Sequence, residues 1–319
     1  MATGKARDGN IRCAESGCSG TPALRGVPAI GSVRRQLMTL EVASLEPSQI
    51  DTRETEKEPA MPTRDSAPLG SPCWTDLWTS DVETSRKFYS ELFGWEAQEP
   101  SPEFGGYFMF TRNGVPVAGC MGEMGDIPAD NSWKVYLATD DVEKTVKSAV
   151  SAGAEIVFPP MAVADLGVES VIVDPTGAVV GLWQSGTFSG FTVLGEHGAP
   201  SWFELHTRDY VTAVDFYRSA LRWETDVTSD TSSFRCTTMR DPNGEEQMAG
   251  IMDANGFLPE GAPATWSVYW DTDDVDAAVA KVHKLGGSVV IGARDTPYGR
   301  VAAVADPTGA QSNLHTPNR

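Results

Sequence analysis

The sequence is short of the residues and segments on which several functions depend. Only four histidines occur in 319 residues, and the five cysteines include no CxxC pair, so a metal cluster of the zinc type is not indicated. Lysine and arginine number 25 against 44 acidic residues, and the net charge of −19 disfavours binding to nucleic acid or to anionic membranes. No apolar run is long enough to span a bilayer, and the N-terminus lacks the apolar core of a signal peptide. These absences predict a cytoplasmic protein with reduced thiols.

Residues 1–69 differ in composition from the rest of the chain. They are rich in arginine, glutamate, proline, serine and threonine, poor in aromatic residues, and without helical or strand periodicity. Such a segment buries too little apolar surface to offset the entropy of ordering it. We expect a disordered N-terminal extension over these residues.

From residue 70 onward the chain repeats itself. The segment WTDLWTSDVETSRKFYSELFGWE at 74–96 returns as WFELHTRDYVTAVDFYRSALRWE at 202–224. A second pair of similar segments follows, and DPTGA closes both halves. Self-similarity of this kind indicates two homologous domains. We place the first domain at 70–187, a linker at 188–196 and the second domain at 197–319.

Each half contains two units of the same kind, a strand followed by a helix and several short strands. In the first helix, Ser80 and Glu83 have the spacing of a capping box, and Gly94 suits the left-handed residue after its end. Asn-Gly and Pro-Thr-Gly turns then join short alternating strands. The pattern predicts an α+β protein of four βαβββ units in two tandem domains.

Three motifs recur in this frame: D-x6-FY-x2-LFGWE, TDDV ahead of a helix that ends in glycine, and the closing DPTGA. They resemble the vicinal oxygen chelate superfamily, which includes glyoxalase I, extradiol dioxygenases and bleomycin-resistance proteins. The paired openings PCWTDL and SWFEL are similar, more narrowly, to the tandem two-domain glyoxalase-like proteins of actinobacteria. The resemblance covers about residues 71–316. It implies curved mixed sheets that enclose a pocket in each domain, and a place in secondary metabolism.

The metal-dependent members of this superfamily hold a divalent ion with side chains from the first and last strands of each unit. Carried over residue by residue, the resemblance places those ligand positions at Trp74, Lys134, Gly181, Trp202, Ser267 and Asn313. A divalent ion needs several converging nitrogen or oxygen donors, and none of the six supplies a good one. We therefore expect no metal and no other cofactor, and glyoxalase I or dioxygenase chemistry is disfavoured.

Side chains of a strand alternate between two faces, so a residue at a ligand position shares its pocket with neighbours two residues away. On this basis the residues expected to contact a ligand are Trp74, Asp76, Trp78, Lys134 and Tyr136 in the first pocket, and Trp202, Glu204, His206 and Tyr269 in the second. Indole and phenol rings interspersed with acids suit a planar or polycyclic organic ligand. A strand tryptophan is nevertheless more often a core residue, and Trp95 and Trp223 are assigned to the core.

Three of these residues are candidates for catalysis: Glu204, His206 and Asp76. Glu204 and His206 lie two apart on one strand, where a carboxylate can tune an imidazole as a general base near neutral pH. Asp76 and Glu204 could equally pair with an arginine or cap a loop. His283, on the wet side of its helix, and His315, near the C-terminus, are given no catalytic role.

Three functions remain open at this point. The first is a metal-free small-molecule binder of the resistance type. The second is a metal-independent tailoring enzyme, such as an isomerase, cyclase or hydrolase of a carbonyl-bearing metabolite, and the third is an effector or scaffold with degenerate pockets. The aromatic pockets favour the first two. The expected partner is a small-molecule ligand, and the chain is expected to be a monomer with pseudo-dimeric halves or a homodimer.

Overall fold

The structure, a computed structural model, describes residues 66–318 except residues 126, 233 and 241–247. The disordered extension expected at the N-terminus therefore lies outside the described residues as far as residue 65. Within the described ranges, no helix is long and apolar enough to cross a membrane.

The first domain consists of two successive βαβββ units that share one sheet. Its elements are, in chain order, β1 (Pro72–Trp78), α1 (Val82–Phe93), β2 (Glu96–Ala97), β3 (Phe108–Arg112), β4 (Val115–Met121), β5 (Ser132–Ala138), α2 (Val142–Ser151), β6 (Glu155–Val163), β7 (Gly167–Val173) and β8 (Val179–Ser185).

The second domain repeats this order. Its elements are β9 (Pro200–Thr207), α3 (Tyr210–Leu221), β10 (Thr225–Asp230), β11 (Arg235–Met239), β12 (Ala249–Asp253), β13 (Thr265–Asp271), α4 (Val275–Lys284), β14 (Ser288–Thr296), β15 (Gly299–Ala305) and β16 (Gln311–Pro317). The predicted α+β class and the four βαβββ units in two tandem domains are confirmed.

Each domain forms one open eight-stranded mixed sheet. The strand order is β2-β3-β4-β1-β5-β8-β7-β6 in the first domain and the equivalent order in the second. The first strands of the two units, β1 and β5, run antiparallel at the centre, and each also pairs in parallel with the last strand of its own unit. Residues at the sheet centre therefore come from the opening strands of both units, where the sequence places its aromatic and acidic residues.

Each of the four helices in the described ranges is preceded by an aspartate that caps it. The side chain of each cap, at Asp81, Asp141, Asp209 and Asp274, accepts a hydrogen bond from the backbone N–H three residues later. The predicted capping box was wrong by one residue, because Asp81 rather than Ser80 occupies the cap of α1. The predicted end at Gly94 is confirmed, with a left-handed backbone (φ 73°) that favours glycine.

The contact between the two domains is made largely of aromatic side chains. Trp270 is completely buried, and its ring lies 5.0 Å from those of Trp95 and Trp133 and 5.9 Å from that of Phe93. Across the same contact, α2 packs against α3 and α1 packs against α4. The halves of the chain thus share a core.

Residues that recur in both halves make reciprocal hydrogen bonds across this contact. Trp95 Nε1 donates to the carbonyl of Gly198 at 2.7 Å, and Trp223 Nε1 donates to that of Gly70 at 2.8 Å. Both tryptophans are buried, as the sequence predicted. A buried indole N–H needs an acceptor, so each of these bonds fixes one domain against the other.

The tyrosine of each FY motif joins the aspartate of the other domain's DPTGA motif. Tyr217 donates from its hydroxyl to Asp174 Oδ2 at 2.9 Å and accepts from Trp266 Nε1 at 2.8 Å. Its counterpart Tyr89 is hydrogen-bonded to Asp306. Burial and the neighbouring carboxylate raise the pKa of both phenols. The two most recognisable motifs therefore serve the domain contact.

Candidate ligand-binding site

Each sheet carries one face rich in aromatic and acidic side chains. We call the face with Trp74, Asp76, Trp78, Lys134 and Tyr136 the first face, and the face with Trp202, Glu204, His206, Ser267 and Tyr269 the second face. Strand register brings the members of each face together, since Asp76 lies opposite Lys134 on β5 and Glu204 lies opposite Ser267 on β13.

The first face is centred on a buried carboxyl group. Asp76 Oδ1 accepts from Trp74 Nε1 at 2.8 Å and from the Tyr107 hydroxyl at 2.9 Å, and Tyr136 is a further hydrogen-bond partner. Burial raises the pKa of Asp76 to about 6, against the lowering effect of these donors. The Asp76 carboxyl group is only 6% exposed, and side chains of the protein itself donate the hydrogen bonds that it accepts.

A second acid, Glu169 on β7, belongs to this cluster and was missed in the sequence analysis. Burial, and then the charge of Asp76, raise its pKa to about 7. Two carboxyl groups that repel each other in a poorly solvated site resist being ionised together. The one sequence signal was an acid inside the apolar strand GVESVIV, which a period-two pattern alone does not distinguish from a solvent-facing residue.

Other side chains of the protein pack against Trp74 and Tyr136 on the first face. Phe188 and Phe191, both in the linker, lie 4.8 and 5.1 Å from the Trp74 ring, which is 4% exposed. A Cβ at Gly181 would lie 2.2 Å from the Tyr136 ring, and one at Gly119 would lie 2.0 Å from an Asp76 oxygen. Trp74 and Tyr136 are both buried and contact these neighbours, and their contact with a ligand stays a prediction.

Trp78 and Lys134, the other two members of the first face, are half-buried. Lys134 Nζ stands 5.5 Å from the centre of the Trp78 ring and forms an ion pair with Asp130. The Lys134 ammonium group therefore already has an acidic partner and an aromatic partner within the protein.

The second face brings together the predicted acid–histidine pair. Glu204 Oε2 lies 2.9 Å from His206 Nε2 and accepts from the Tyr269 hydroxyl at 2.9 Å. Burial, and then the charge of Glu204, raise the pKa of Tyr269, so the phenol stays protonated as a donor. The expected proximity of Glu204 and His206 is confirmed.

This arrangement fixes the orientation of the His206 ring. A carboxylate oxygen only accepts, so with Glu204 as carboxylate the bond is donated by His206 Nε2, and in the neutral ring Nδ1 is then the acceptor. Nδ1 has no hydrogen-bond partner in the described part of the chain, and the ring is held edge-on to Phe257 at 5.2 Å. The imidazole is thus placed to accept a proton at Nδ1.

The second face is more accessible than the first. Trp202, His206, Ser267 and Tyr269 are all half-buried, whereas Trp74 and Tyr136 of the first face are buried. The indole of Trp202 passes over Gly250, where a Cβ would lie 2.9 Å from its ring. The half-buried indole and phenol leave aromatic surface beside the Glu204–His206 pair.

The residues at the six metal-ligand positions do not fit a divalent ion. Trp74 presents an N–H donor, Gly181 has no side chain, and Asn313 Nδ2 donates to Ser267 Oγ at 2.7 Å. Among the residues that the structure describes, no three histidine, cysteine, aspartate or glutamate side chains gather as a metal site. A neutral amide and a hydroxyl already bonded to each other are a poor donor set for a hard or borderline cation.

Comparison with known proteins gives consistent matches over both domains. The family described as Glyoxalase/Bleomycin resistance protein/Dioxygenase superfamily matches residues 73–182 and 200–313. CFP32 of Mycobacterium tuberculosis, whose name classes it with the glyoxylases, is 36% identical over 255 residues, 78% of this chain and 96% of CFP32. The anthracycline biosynthesis protein DnrV of Streptomyces peucetius is 35% identical over 255 residues, 76% of this chain and 91% of DnrV.

A solved structure shows the same fold at low identity. The Mn(II)-bound glyoxalase from Novosphingobium aromaticivorans superimposes with a TM-score of 0.54 at 17% identity, over 78% of this chain and 82% of that one. Similarity at this level concerns the fold alone.

Proposed function

This chain belongs to the glyoxalase/bleomycin resistance protein/dioxygenase superfamily, and we propose that it binds a small planar, aromatic or polycyclic metabolite on its second face without a divalent metal. The observation that carries the proposal is the contrast between the two faces. Trp202 and Tyr269 stay half-buried beside a polar pair on the second face, whereas aromatic side chains of the protein cover Trp74 on the first.

The chemical class of the ligand follows from the residues of the second face. An indole and a phenol provide flat apolar area for stacking, and the Glu204–His206 pair offers polar groups that orient a ligand. The relative DnrV is named for anthracycline biosynthesis, and anthracyclines are polycyclic aromatic compounds. This agreement supports the class and leaves the individual compound open.

The residues at the metal-ligand positions of the second face support a metal-free mode of binding. On the second face those positions hold Trp202, Ser267 and Asn313, of which the last two are hydrogen-bonded to each other. In this proposal stacking and hydrogen bonds hold the ligand, with the affinity of an ordinary small organic molecule.

Removing the Trp202 indole is expected to weaken ligand binding by roughly tenfold or more, because stacking area at a half-buried anchor is lost. The measurement is a titration of the protein with an anthracycline, followed by the polarisation of the ligand's own fluorescence. Trp78→Ala, which removes a half-buried indole from the first face, is the matched control and should keep the wild-type affinity. The reverse outcome, with Trp78→Ala weakened and Trp202→Ala unchanged, would place the site on the first face.

A second candidate function is favoured by the fixed orientation of His206. With Nε2 bound to Glu204 and Nδ1 free in the described structure, His206 is arranged as a general base, and Glu204 as the residue that positions it. The reaction class is proton abstraction next to a carbonyl, as an isomerase or cyclase requires. The first face has no histidine at the equivalent place, since Trp78 stands where the second face has His206.

His206→Gln is expected to reduce proton abstraction by roughly 100-fold or more, and Glu204→Gln by a smaller factor, with affinity retained in both. Deuterium incorporation from D2O into a polycyclic aryl ketone, followed by NMR, measures this step directly. His283→Gln, which changes a histidine on α4, is the control. Equal incorporation in wild type and His206→Gln would remove the pair from any such reaction.

A further inference from the structure

Ser201 and His315 form a second polar pair in the second domain. Ser201 Oγ lies 3.1 Å from His315 Nδ1, and His315 Nε2 lies 3.1 Å from the backbone carbonyl oxygen of Tyr298. Both side chains are half-buried, and His315 on β16 is paired with Asp271 of β13. No sequence pattern indicates this contact, since 114 residues separate the two along the chain.

The hydrogen bonds select one form of the histidine ring. A carbonyl oxygen only accepts, so His315 Nε2 must carry the proton that it donates to Tyr298. In the neutral ring Nδ1 is then an acceptor, and it faces the Ser201 hydroxyl. That hydroxyl has a second acceptor in the Tyr269 carbonyl at 3.3 Å, which is the longer of the two contacts. Burial also lowers the pKa of His315, which favours the neutral ring at pH 7.

The backbone next to His315 leaves room for the ring only because residue 299 is glycine. A Cβ at Gly299 would lie 2.9 Å from His315 Nε2 and 2.2 Å from the Thr316 carbonyl oxygen. The residue has φ 135°, a conformation that side chains rarely adopt. The position of the imidazole is thus set on both sides, by the Tyr298 carbonyl and by this glycine.

The first domain has no such pair at the equivalent place. Cys73 corresponds to Ser201, and each donates to the carbonyl of the tyrosine that faces it, Tyr136 or Tyr269. Trp183 corresponds to His315 by strand register, because it pairs with Ala138 as His315 pairs with Asp271. An indole cannot accept a proton as an imidazole does. The base is therefore a feature of the second domain.

From this geometry we propose that Ser201 and His315 are the nucleophile and general base of an acyl-transfer site acting on small esters. His315 Nδ1 takes the hydroxyl proton as Ser201 Oγ bonds to the ester carbonyl carbon. The bond to the leaving oxygen then breaks, and the leaving group takes the proton from Nδ1. Water, activated in the same way, releases the acid and restores the serine. The site stands independently of the ligand proposed for the second face.

The test is covalent labelling of the whole protein with a fluorophosphonate, which forms a phosphorus–oxygen bond at the serine and expels fluoride. Intact-mass and peptide mass spectrometry of the wild type should show one adduct, on Ser201. Labelling should fall at least ~100-fold in Ser201→Ala and in His315→Gln, because one lacks the nucleophile and the other the base. Hydrolysis of p-nitrophenyl acetate should fall in parallel. Ser219→Ala, at an exposed serine on α3, should label as the wild type does.

Two results would overturn the proposal. The first is a wild-type protein that stays unlabelled, or is labelled at another residue, which requires no variant to observe. The second is unchanged labelling in His315→Gln, in a preparation whose thermal unfolding matches that of the wild type.

Discussion

Replacing Trp270 by alanine is expected to lower the free energy of unfolding by about 3–5 kcal/mol, the usual cost of removing a large buried aromatic side chain. Trp270 is fully buried between the domains and packs on Phe93, Trp95 and Trp133. The cavity left behind would separate two aromatic clusters that are now continuous. The measurement is urea denaturation followed by circular dichroism.

Two variants sharpen this test. Trp270 Nε1 is buried with no acceptor in the described ranges, so Trp270→Phe, which removes that unsatisfied group, should cost much less than Trp270→Ala. Trp202→Ala truncates a tryptophan of similar size that is only half-buried, and should cost about 1 kcal/mol. Equal losses in Trp270→Ala and Trp202→Ala would contradict the assignment of Trp270 to a shared core.

Glu169→Gln is expected to make the protein's stability less sensitive to pH between about 4.5 and 7. The folded protein raises the pKa of Glu169 from 4.5 to about 7, so within this window the folded state holds a proton that the unfolded state has lost. Stability therefore falls as pH rises from the unfolded value toward the folded one, and changes no further above it. Glutamine keeps the shape without the ionisation and should remove this loss.

Between pH 5 and pH 8 the wild type should lose more unfolding free energy than the variant, by an amount on the order of 2 kcal/mol. One pKa unit corresponds to about 1.4 kcal/mol. Unfolding free energies from urea titrations at the two pH values measure this difference. Glu143→Gln, at an exposed residue of α2, should follow the wild-type pH dependence. A Glu169→Gln protein that loses as much stability as the wild type on going to pH 8 would show that this carboxyl ionises freely.

The repeat made the fold predictable. Aspartate caps, glycine ends and the DPTGA turns are local signals, and their recurrence in order specified the βαβββ units without any knowledge of long-range contacts. Alternation along β9 was sufficient to place Glu204 and His206 side by side. These features depend on residues close together in the chain, so the spacing of residues in the sequence is sufficient to predict them.

The remaining features depend on contacts between distant segments. Phe188 covers Trp74 because the segment after β8 returns to the first sheet, and no periodicity in the sequence reports that path. Likewise, the partner of Tyr217 lies in the opposite domain. Sequence periodicity therefore identified the aromatic residues of both faces but not the phenylalanines that pack on Trp74.

The two halves differ at their corresponding faces although they share a fold. Where the first domain has Cys73, Trp78 and Trp183, the second has Ser201, His206 and His315. A serine replaces a cysteine at the first of these places, and a histidine replaces a tryptophan at the other two. The second domain therefore carries hydrogen-bonding and titratable groups that the first domain lacks at these positions.

Calorimetric titration of the full chain with an anthracycline, before and after dialysis against a chelator, shows whether binding needs a divalent metal. We expect one ligand per chain, with a dissociation constant on the order of 1–10 μM that the chelator leaves unchanged. Binding that disappears with the chelator and returns with a divalent ion would contradict it.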